Sequence, residues 1–380
     1  MSEYQYYEFQ ALDRRLSEQE MQELRRYSSR ARITPTSFVN EYSFGSFKGD
    51  EDLWMEKYFD AFLYLANWGT RIFMVRLPTR LLSAKVARQY CPGAPASVSE
   101  KGGNLIVTFV SEEEPTGEWV EGDGRLSSIL PVRDELARGD LRALYLGWLL
   151  GVQRGKRVDT EPEPPVPANL GELSGPLSNL AEFLRIDPDL LTVAAEPSPS
   201  AKPDPAGRKE LAAWVAALPT HEKDALLVRL MEGGDAHLGT ELHSRFLRDR
   251  SARTPVTEGP RRTVGELLAA AEARGQKRRQ EEARAAAEAK PRREREAAIA
   301  REKHLDALAS RGPELWASVN ELIATRQPKN YDAAVRHLVD LRDLATRQGT
   351  MAEFARRIAA LREAHVRKQA FVTRLDPAGL

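Results

Sequence analysis

Six histidines, a single cysteine and a dense run of arginines are the residues of this chain whose types and spacing suggest chemistry. Only His237 and His243 lie close together, in His-Leu-Gly-Thr-Glu-Leu-His with Glu241 between them. Two histidines that bind one zinc ion from a helix need a four-residue spacing, which keeps both on one face. The six-residue spacing here turns them about 240° apart on an ideal helix, so ordinary surface histidines and no metal are expected. Cys91 precedes Pro92, and no histidine lies within a hundred residues of it. A reactive thiol needs a base or an electropositive neighbour to lower its pKa, so Cys91 reads as structural. Glu112, Glu113 and Glu114 form an acidic run before Pro115. Paired carboxylates do acid–base work when their environments split their pKa values, but a consecutive run in a loop reads as solvated. The phosphate-cradling, dinucleotide-binding and nucleophile-elbow glycine motifs are absent, so no cofactor is expected.

From Arg274 to Lys303 eleven basic side chains are interspersed with six glutamates, a net charge of +5. Clustered cations release counterions from nucleic acid, which makes Arg274, Lys277, Arg278, Arg279, Arg292, Arg293 and Arg295 the candidates for contacts to DNA or RNA phosphates. The glutamates oppose that assignment, because pairs such as Glu288–Arg292 at i,i+4 suit a solvated spacer helix. Between Leu268 and Ile299 there is no large apolar residue. Ala, Arg, Glu and Lys are strong helix formers, yet the stretch has no face to bury, lacks a coiled-coil repeat, and contains Pro291, which is expected to kink or interrupt it. Residues 261–303 therefore read as a charged, partly helical bridge.

The elements that would position these residues fall into distinct regimes. Lys+Arg and Asp+Glu each number 56 in 380 residues, which excludes a globally basic, histone-like protein and a globally acidic tail. No window approaches 18 apolar residues, and the opening Met-Ser-Glu-Tyr-Gln-Tyr-Tyr has neither a basic nor an apolar signal region. One cysteine excludes an internal disulfide framework and a cysteine-based zinc finger. A cytoplasmic protein without membrane contact is expected.

Aromatic residues concentrate in residues 1–153, where the best core is expected. Residues 4–12 read as a strand, and Ser17 with Glu20 has the spacing of a capping box. Two short strands follow within 31–44, a helix runs from an Asp50 cap to about Asn67, and Ile72–Val75 is a buried strand closed by Pro78. The order strand, helix, strand, strand, helix, strand is that of a ferredoxin-like split βαβ sandwich. A short helix over 79–90, a hairpin through Gly102-Gly103 and an apolar lid helix over 133–152 complete the domain. Residues 1–60 hold eight basic and twelve acidic side chains, which opposes nucleic-acid binding by this part.

Prolines mark residues 154–206 as a linker with short helices. A small helical module follows at 207–250, divided by Pro219 and Gly233-Gly234. Residues 304–380 carry three amphipathic stripes with short connections, a helical-hairpin array. Within them Trp316, Tyr331 and Phe354 are the candidate partner anchors, since large aromatics dominate interfaces, with packing inside the tail as their alternative role. The class is α+β: a ferredoxin-like domain followed by mostly α-helical modules on linkers.

From Trp316 through Asn330-Tyr331-Asp332-Ala333-Ala334 and Asp340-Leu341-Arg342-Asp343-Leu344-Ala345 to Arg362-Glu363-Ala364-His365, the chain resembles the helical tail of bacterial SWIM-type zinc-finger proteins. The resemblance covers less than a fifth of the chain. The finger itself needs Cys-x-Cys followed by Cys-x-His, which one cysteine cannot supply. The resemblance therefore implies a helical partner module and an association with nucleic acid, with no metal ligands. The opening Glu3-Tyr4-Gln5-Tyr6-Tyr7-Glu8-Phe9 resembles bacterial proteins of no assigned function. The expected function is a non-enzymatic, multi-module adaptor or scaffold that binds a protein partner through its C-terminal helices and N-terminal domain. The alternatives are a nucleic-acid-associated accessory factor acting through 274–303, and an enzyme with an unrecognised site near Cys91 or the hairpin acids.

Overall fold

The computed structural model describes residues 4–113, 121–200, 205–232, 237–253 and 261–380. The chain divides into two compact units, Met1–Lys277 and Arg278–Leu380.

The first unit opens with β1 (Gln5–Gln10), α1 (Glu18–Arg25), β2 (Arg32–Thr34), β3 (Ser37–Tyr42) and α2 (Glu51–Lys57). α1 begins at the expected capping box: the Glu20 amide donates to Ser17 Oγ at 3.2 Å, and the Ser17 amide donates to Glu20 Oε2 at 2.8 Å. α2 is capped by Asp50, whose carboxylate accepts the Leu53 amide at 2.9 Å. It ends at Lys57, ten residues before the expected Asn67, because Ala61–Ala66 forms β4. All six residues of β4, Ala-Phe-Leu-Tyr-Leu-Ala, are buried. A strand covered on both faces shows no alternation of apolar and polar residues, which is why Phe62 and Leu65 also fit a helical period. β5 (Arg71–Pro78), α3 (Ala84–Tyr90), β6 (Ala96–Lys101) and β7 (Asn104–Ser111) follow.

These strands form one seven-stranded sheet in the order β2-β3-β1-β4-β5-β7-β6, every neighbouring pair antiparallel. The period-2 alternation sends Tyr7, Phe9, Phe38, Phe62 and Tyr64 to one face, where they pack with Leu24 of α1 and Trp54 of α2. The Phe9 and Phe62 rings stack there at 4.2 Å. The opposite face presents Leu63, Phe73, Val75, Val107 and Phe109 to a helical layer. That layer contains α4 (Arg125–Ile129), α5 (Val132–Ala137) and α6 (Arg142–Gln153), so the expected lid helix is two helices broken at Gly139 (φ +88°). Gly147 lets α6 approach the sheet: a Cβ there would lie 2.6 Å from the Phe109 ring and 2.9 Å from Ala96 Cβ.

Of the proline-rich stretch at 154–206, expected as a linker, the part at 154–200 contributes to the core, and residues 201–204 lie outside those described. Glu163 and Leu170 are buried, and α7 (Gly175–Leu184) and α8 (Pro188–Ala195) insert Leu177, Leu180, Phe183, Leu184, Leu190 and Val193 into the second-face core. Proline content marks the lack of regular hydrogen bonding, whereas burial here is decided by the leucines that follow. Where a small helical module is expected at 207–250, the chain forms three helices, α9 (Pro205–Ala217), α10 (Thr220–Met231) and α11 (Leu238–Arg253), within the first unit. Trp214 Nε1 donates to Asp249 at 2.8 Å and its ring lies 5.8 Å from Phe246, while Leu227, Leu230 and Met231 of α10 stay exposed. Gly233-Gly234 and Leu247 fall outside the residues, or side chains, described.

α12 (Val264–Leu308) starts in the first unit, where the Glu163 amide donates to Arg262 O at 2.8 Å and the Val264 amide to Glu161 O at 3.0 Å. It is one helix of 45 residues with Pro291 inside it, not the interrupted bridge expected; the strong helix formers on both sides carry the backbone through the missing donor.

The second unit continues with α13 (Gly312–Ala324), α14 (Pro328–Gln348), α15 (Met351–Ala364) and α16 (Gln369–Leu375). Its core is Leu315, Val319, Ile323, Leu338, Leu341 and Phe371 with their neighbours. Gly349 (φ +70°) ends α14 in the left-handed conformation that favours glycine. The third expected stripe is broken at His365, so Phe371 and Leu375 belong to a separate helix. Among the described residues no helix is long and apolar enough to cross a membrane.

Candidate functional site

In the second unit two of the three candidate anchors come together. Trp316 on α13 and Phe354 on α15 meet with ring centroids 5.9 Å apart, and the Arg357 guanidinium lies over the Trp316 ring at 4.3 Å. The spacing explains the arrangement: Phe354 and Arg357 are three residues apart on α15 and share a face. Trp316 is half-buried and Phe354 buried. Both line a cavity of 200 Å³ with Pro313, Leu341, Gln348 and Arg357. An aromatic plane with a stacked cation beside an apolar hollow is suited to an apolar or aromatic side chain next to a carboxylate. Tyr331 lies elsewhere in the core, 5 % exposed, with its ring 5.6 Å from Phe371. It packs the tail and has no surface to offer.

The candidate phosphate contacts are distributed along α12. In the first unit Arg274 Nε lies 3.5 Å from Asp189, and Lys277 is exposed. In the second unit Arg278, Arg284 and Arg292 pair with Glu282, Glu288 and Glu296 at 3.0, 2.9 and 2.8 Å, each one turn onward. Such exposed pairs contribute roughly 0.3–0.5 kcal/mol each. Arg279, Arg293 and Arg295 are exposed, and the last two carry no ion pair among the described residues. Successive residues turn about 100° on a helix, so Arg292 and Arg293 point apart, and the face that carries Arg292 and Arg295 also carries Glu288 and Glu296. Arg301 is bound to Asp340 and, at 2.6 Å, to Asp343 of α14.

The first unit holds an ionic centre that sequence reasoning missed. Asp60, fully buried, accepts Arg76 Nε and Nη2 on Oδ1 at 3.0 and 2.7 Å, and the amides of Leu12 and Asp13 on Oδ2 at 2.7 and 3.0 Å. Arg133 of α5 donates through Nε to Arg76 O at 2.8 Å and through Nη2 to Asp13 at 2.7 Å. The other Asp13 oxygen lies 2.9 Å from His237 Nε2. Burial pushes the Asp13 carboxyl upward, but Arg133 and His237 more than offset this and hold it below its ordinary value. Asp13, Arg133, His237 and Thr240 line a cavity of 470 Å³. A histidine on a carboxylate is a familiar base arrangement, but this carboxylate is shared with a buried arginine, which makes it an anchor for the start of α11. The available signal was Arg76 itself, a charge inside the apolar run Ile-Phe-Met-Val-Arg-Leu, which demands a buried partner.

A second such centre lies beneath the proline-rich stretch. Glu163, 3 % exposed, accepts the Tyr145 hydroxyl and both Nε and Nη2 of Arg262 at 2.9 Å. Cys91 is fully buried, its Sγ 3.6 Å from Leu144 O, and burial pushes its thiol up to about 12 despite Arg157. Glu113 is taken up by Arg154 at 2.8 Å and Arg185 at 3.4 Å, Glu112 is exposed, and Glu114 and Pro115 lie outside the described residues. His243 faces the Phe246 ring at 6.3 Å. Among the described residues no group of three or more His, Cys, Asp or Glu side chains is placed to hold a metal ion.

No protein-family model, no curated protein and no solved structure matches this chain.

Proposed function

We propose that this protein is a non-enzymatic, multi-module adaptor that holds a protein partner on its C-terminal helices and offers a second surface on its N-terminal domain. The observation that carries this reading is the half-buried Trp316, set between Phe354 and Arg357 at the mouth of a cavity. Interface energy concentrates in such Trp and Arg side chains beside a pocket. Two modules on one chain raise the effective concentration of what each binds. Buried Cys91 and the shared Asp13 carboxylate suit structural work, which agrees with an adaptor. The test is recovery of a specific protein partner with the full chain, followed by affinity measurements on Trp316→Ala and Arg357→Ala. A loss of tenfold or more from either substitution, and of all binding when 304–380 is removed, is expected; binding indifferent to all three ends the proposal.

The finer fold assignment belongs with this reading. β1 to β4, ordered 2-3-1-4 with α1 and α2 on one face, support a ferredoxin-like unit that β5, β7 and β6 extend. The tail is likewise proposed as a relative of the SWIM-associated helical module, and the cytoplasm as the compartment, a reading favoured by the lone buried thiol.

A second reading has its own observation: Arg293 and Arg295 are exposed and carry no ion pair among the described residues. We propose them as phosphate contacts of a nucleic-acid-associated factor only if labelled DNA or RNA binds the full chain with a log–log salt slope of roughly −3 to −4, as four phosphate contacts would give. No binding at moderate salt assigns α12 to spacing alone.

A further inference from the structure

The helical cover of the sheet is incomplete on one face. On this face α1 packs against β2 and α2 reaches over β5 and β7, and beside α2 a groove is left above β5, β7 and β6. There Ile72 and Met74 of β5, Ile106, Thr108 and Val110 of β7, and Ser97 of β6 floor a groove of 680 Å³. The registers set Met74, Thr108 and Ser97 in one row across the three strands. Ile72, Thr108 and Val110 are partly exposed, and Leu53 on the flank of α2 is 50 % exposed to the groove.

We propose that this groove seats one amphipathic helix of a protein partner, with an apolar stripe on the floor and lysine or arginine side chains along the edge next to α2. The inference deepens the adaptor reading by naming the chemistry of the N-terminal surface, and it rests on that reading for its biological sense.

Two observations fix the occupant. The floor offers the partly exposed Ile72 and Val110 above the buried Met74 and Ile106, with Ser97 and Ser99 at the outer strand leaving room for close approach. The wall formed by α2 carries Asp50, Glu51, Asp52 and Glu56, and Lys101 is the cation at the far side. Glu51, Asp52 and Glu56 carry no ion pair among the described residues, and burial, followed by Asp50 and Asp52, pushes the Glu51 carboxyl upward. A basic edge neutralises that wall, whereas an acidic helix or a nucleic-acid backbone is repelled by it. The basic stretch of α12 does not fit, since it has no apolar stripe to place on the floor.

The test uses the full chain and two synthetic helical peptides that share a leucine stripe, one with lysine and one with glutamate at every other position. The lysine peptide is expected to bind at least tenfold more tightly by fluorescence anisotropy. Val110→Arg places a cation on the partly exposed floor and is expected to weaken the lysine peptide at least tenfold. The triple variant Glu51→Gln, Asp52→Asn, Glu56→Gln is expected to reduce the preference for lysine to twofold or less. Unchanged melting of each variant shows that the sheet remains folded. Equal binding of the two peptides, no binding of either, or binding that ignores Val110→Arg overturns the proposal. So does a full-chain dimer that Val110→Arg converts to monomer, since the occupant would then be a second copy. None of these measurements involves Trp316 or Arg357, so failure here leaves the tail interface standing, and failure there leaves this groove standing.

Discussion

Asp60 and Arg76 meet in the interior of the first unit, with one carboxylate oxygen of Asp60 taking both Nε–H and Nη2–H of the guanidinium. The other oxygen takes two backbone amides where β1 leaves the sheet. The pair thus ties β5 to the chain turn after β1 and, through Arg133, to α5. A buried pair can break even against an apolar substitute, but removal of one partner leaves the other charge without compensation. Asp60→Ala should therefore cost about 3–5 kcal/mol of stability. Asp60→Asn should cost nearly as much, because its amide nitrogen turns a donor toward donors. The denaturant midpoint of the first unit measures both; a shift below about 1 kcal/mol would mean that the arginines find other partners.

The same centre gives the fold an acid-sensitive edge. The Asp13 carboxyl lies below its ordinary value in the folded protein, so its contribution is complete above the unfolded aspartate value of about 3.9 and is lost as pH falls below it. Denaturation midpoints from pH 6 to pH 3 should therefore fall less steeply for Asp13→Asn than for the wild type. Parallel curves would show that Asp13 carries none of the acid sensitivity.

These two centres mark how far the sequence could be read. Ser17 with Glu20, the Asp50 cap, the Gly102-Gly103 hairpin and the tail stripes are local patterns, and each is found in the fold. What local pattern does not contain is the partner. The charge of Arg76 inside an apolar run demanded a counter-ion, but nothing within the run pointed to Asp60, sixteen residues earlier. Glu163 lies in the stretch read as a linker, and it is buried because Arg262 returns from about a hundred residues away. The groove beside α2 was equally invisible, since it depends on β5 pairing with β7 and not with its sequence neighbour β6.

Burial also silences the one thiol. With Cys91 pushed up to about 12, only about one molecule in ten thousand carries a thiolate at pH 8. A maleimide or disulfide reagent should leave the native chain unlabelled for hours and modify one equivalent in denaturant. Rapid native labelling would return Cys91 to the list of reactive groups.

In the tail, Tyr331 and Arg357 should separate by what their loss does. Tyr331→Ala empties a buried site against Phe371 and should cost about 3–5 kcal/mol, the range for large aromatic deletions. Arg357→Ala removes a stacked surface cation and should cost about 0.5–1 kcal/mol. Hydrogen exchange of the second unit reads both. If Arg357→Ala opens the unit as widely as Tyr331→Ala, its guanidinium is structural and the interface assignment loses its main residue.

Pro291 is the remaining local oddity, because a helix interior with proline costs about 3 kcal/mol relative to alanine. α12 tolerates it between ion-paired turns, with Arg284–Glu288 before it and Arg292–Glu296 after it. Those pairs are exposed, so 1 M salt, with a Debye length of about 3 Å, should remove most of their contribution. Amides of residues 284–296 should therefore exchange fast, and faster in salt. Pro291→Ala should slow them by up to about a hundredfold, the factor that corresponds to about 3 kcal/mol. The substitution leaves every side chain of both candidate surfaces intact. If Pro291→Ala alters exchange by less than a few-fold, helix opening in α12 is governed elsewhere and the proline is not its weak point.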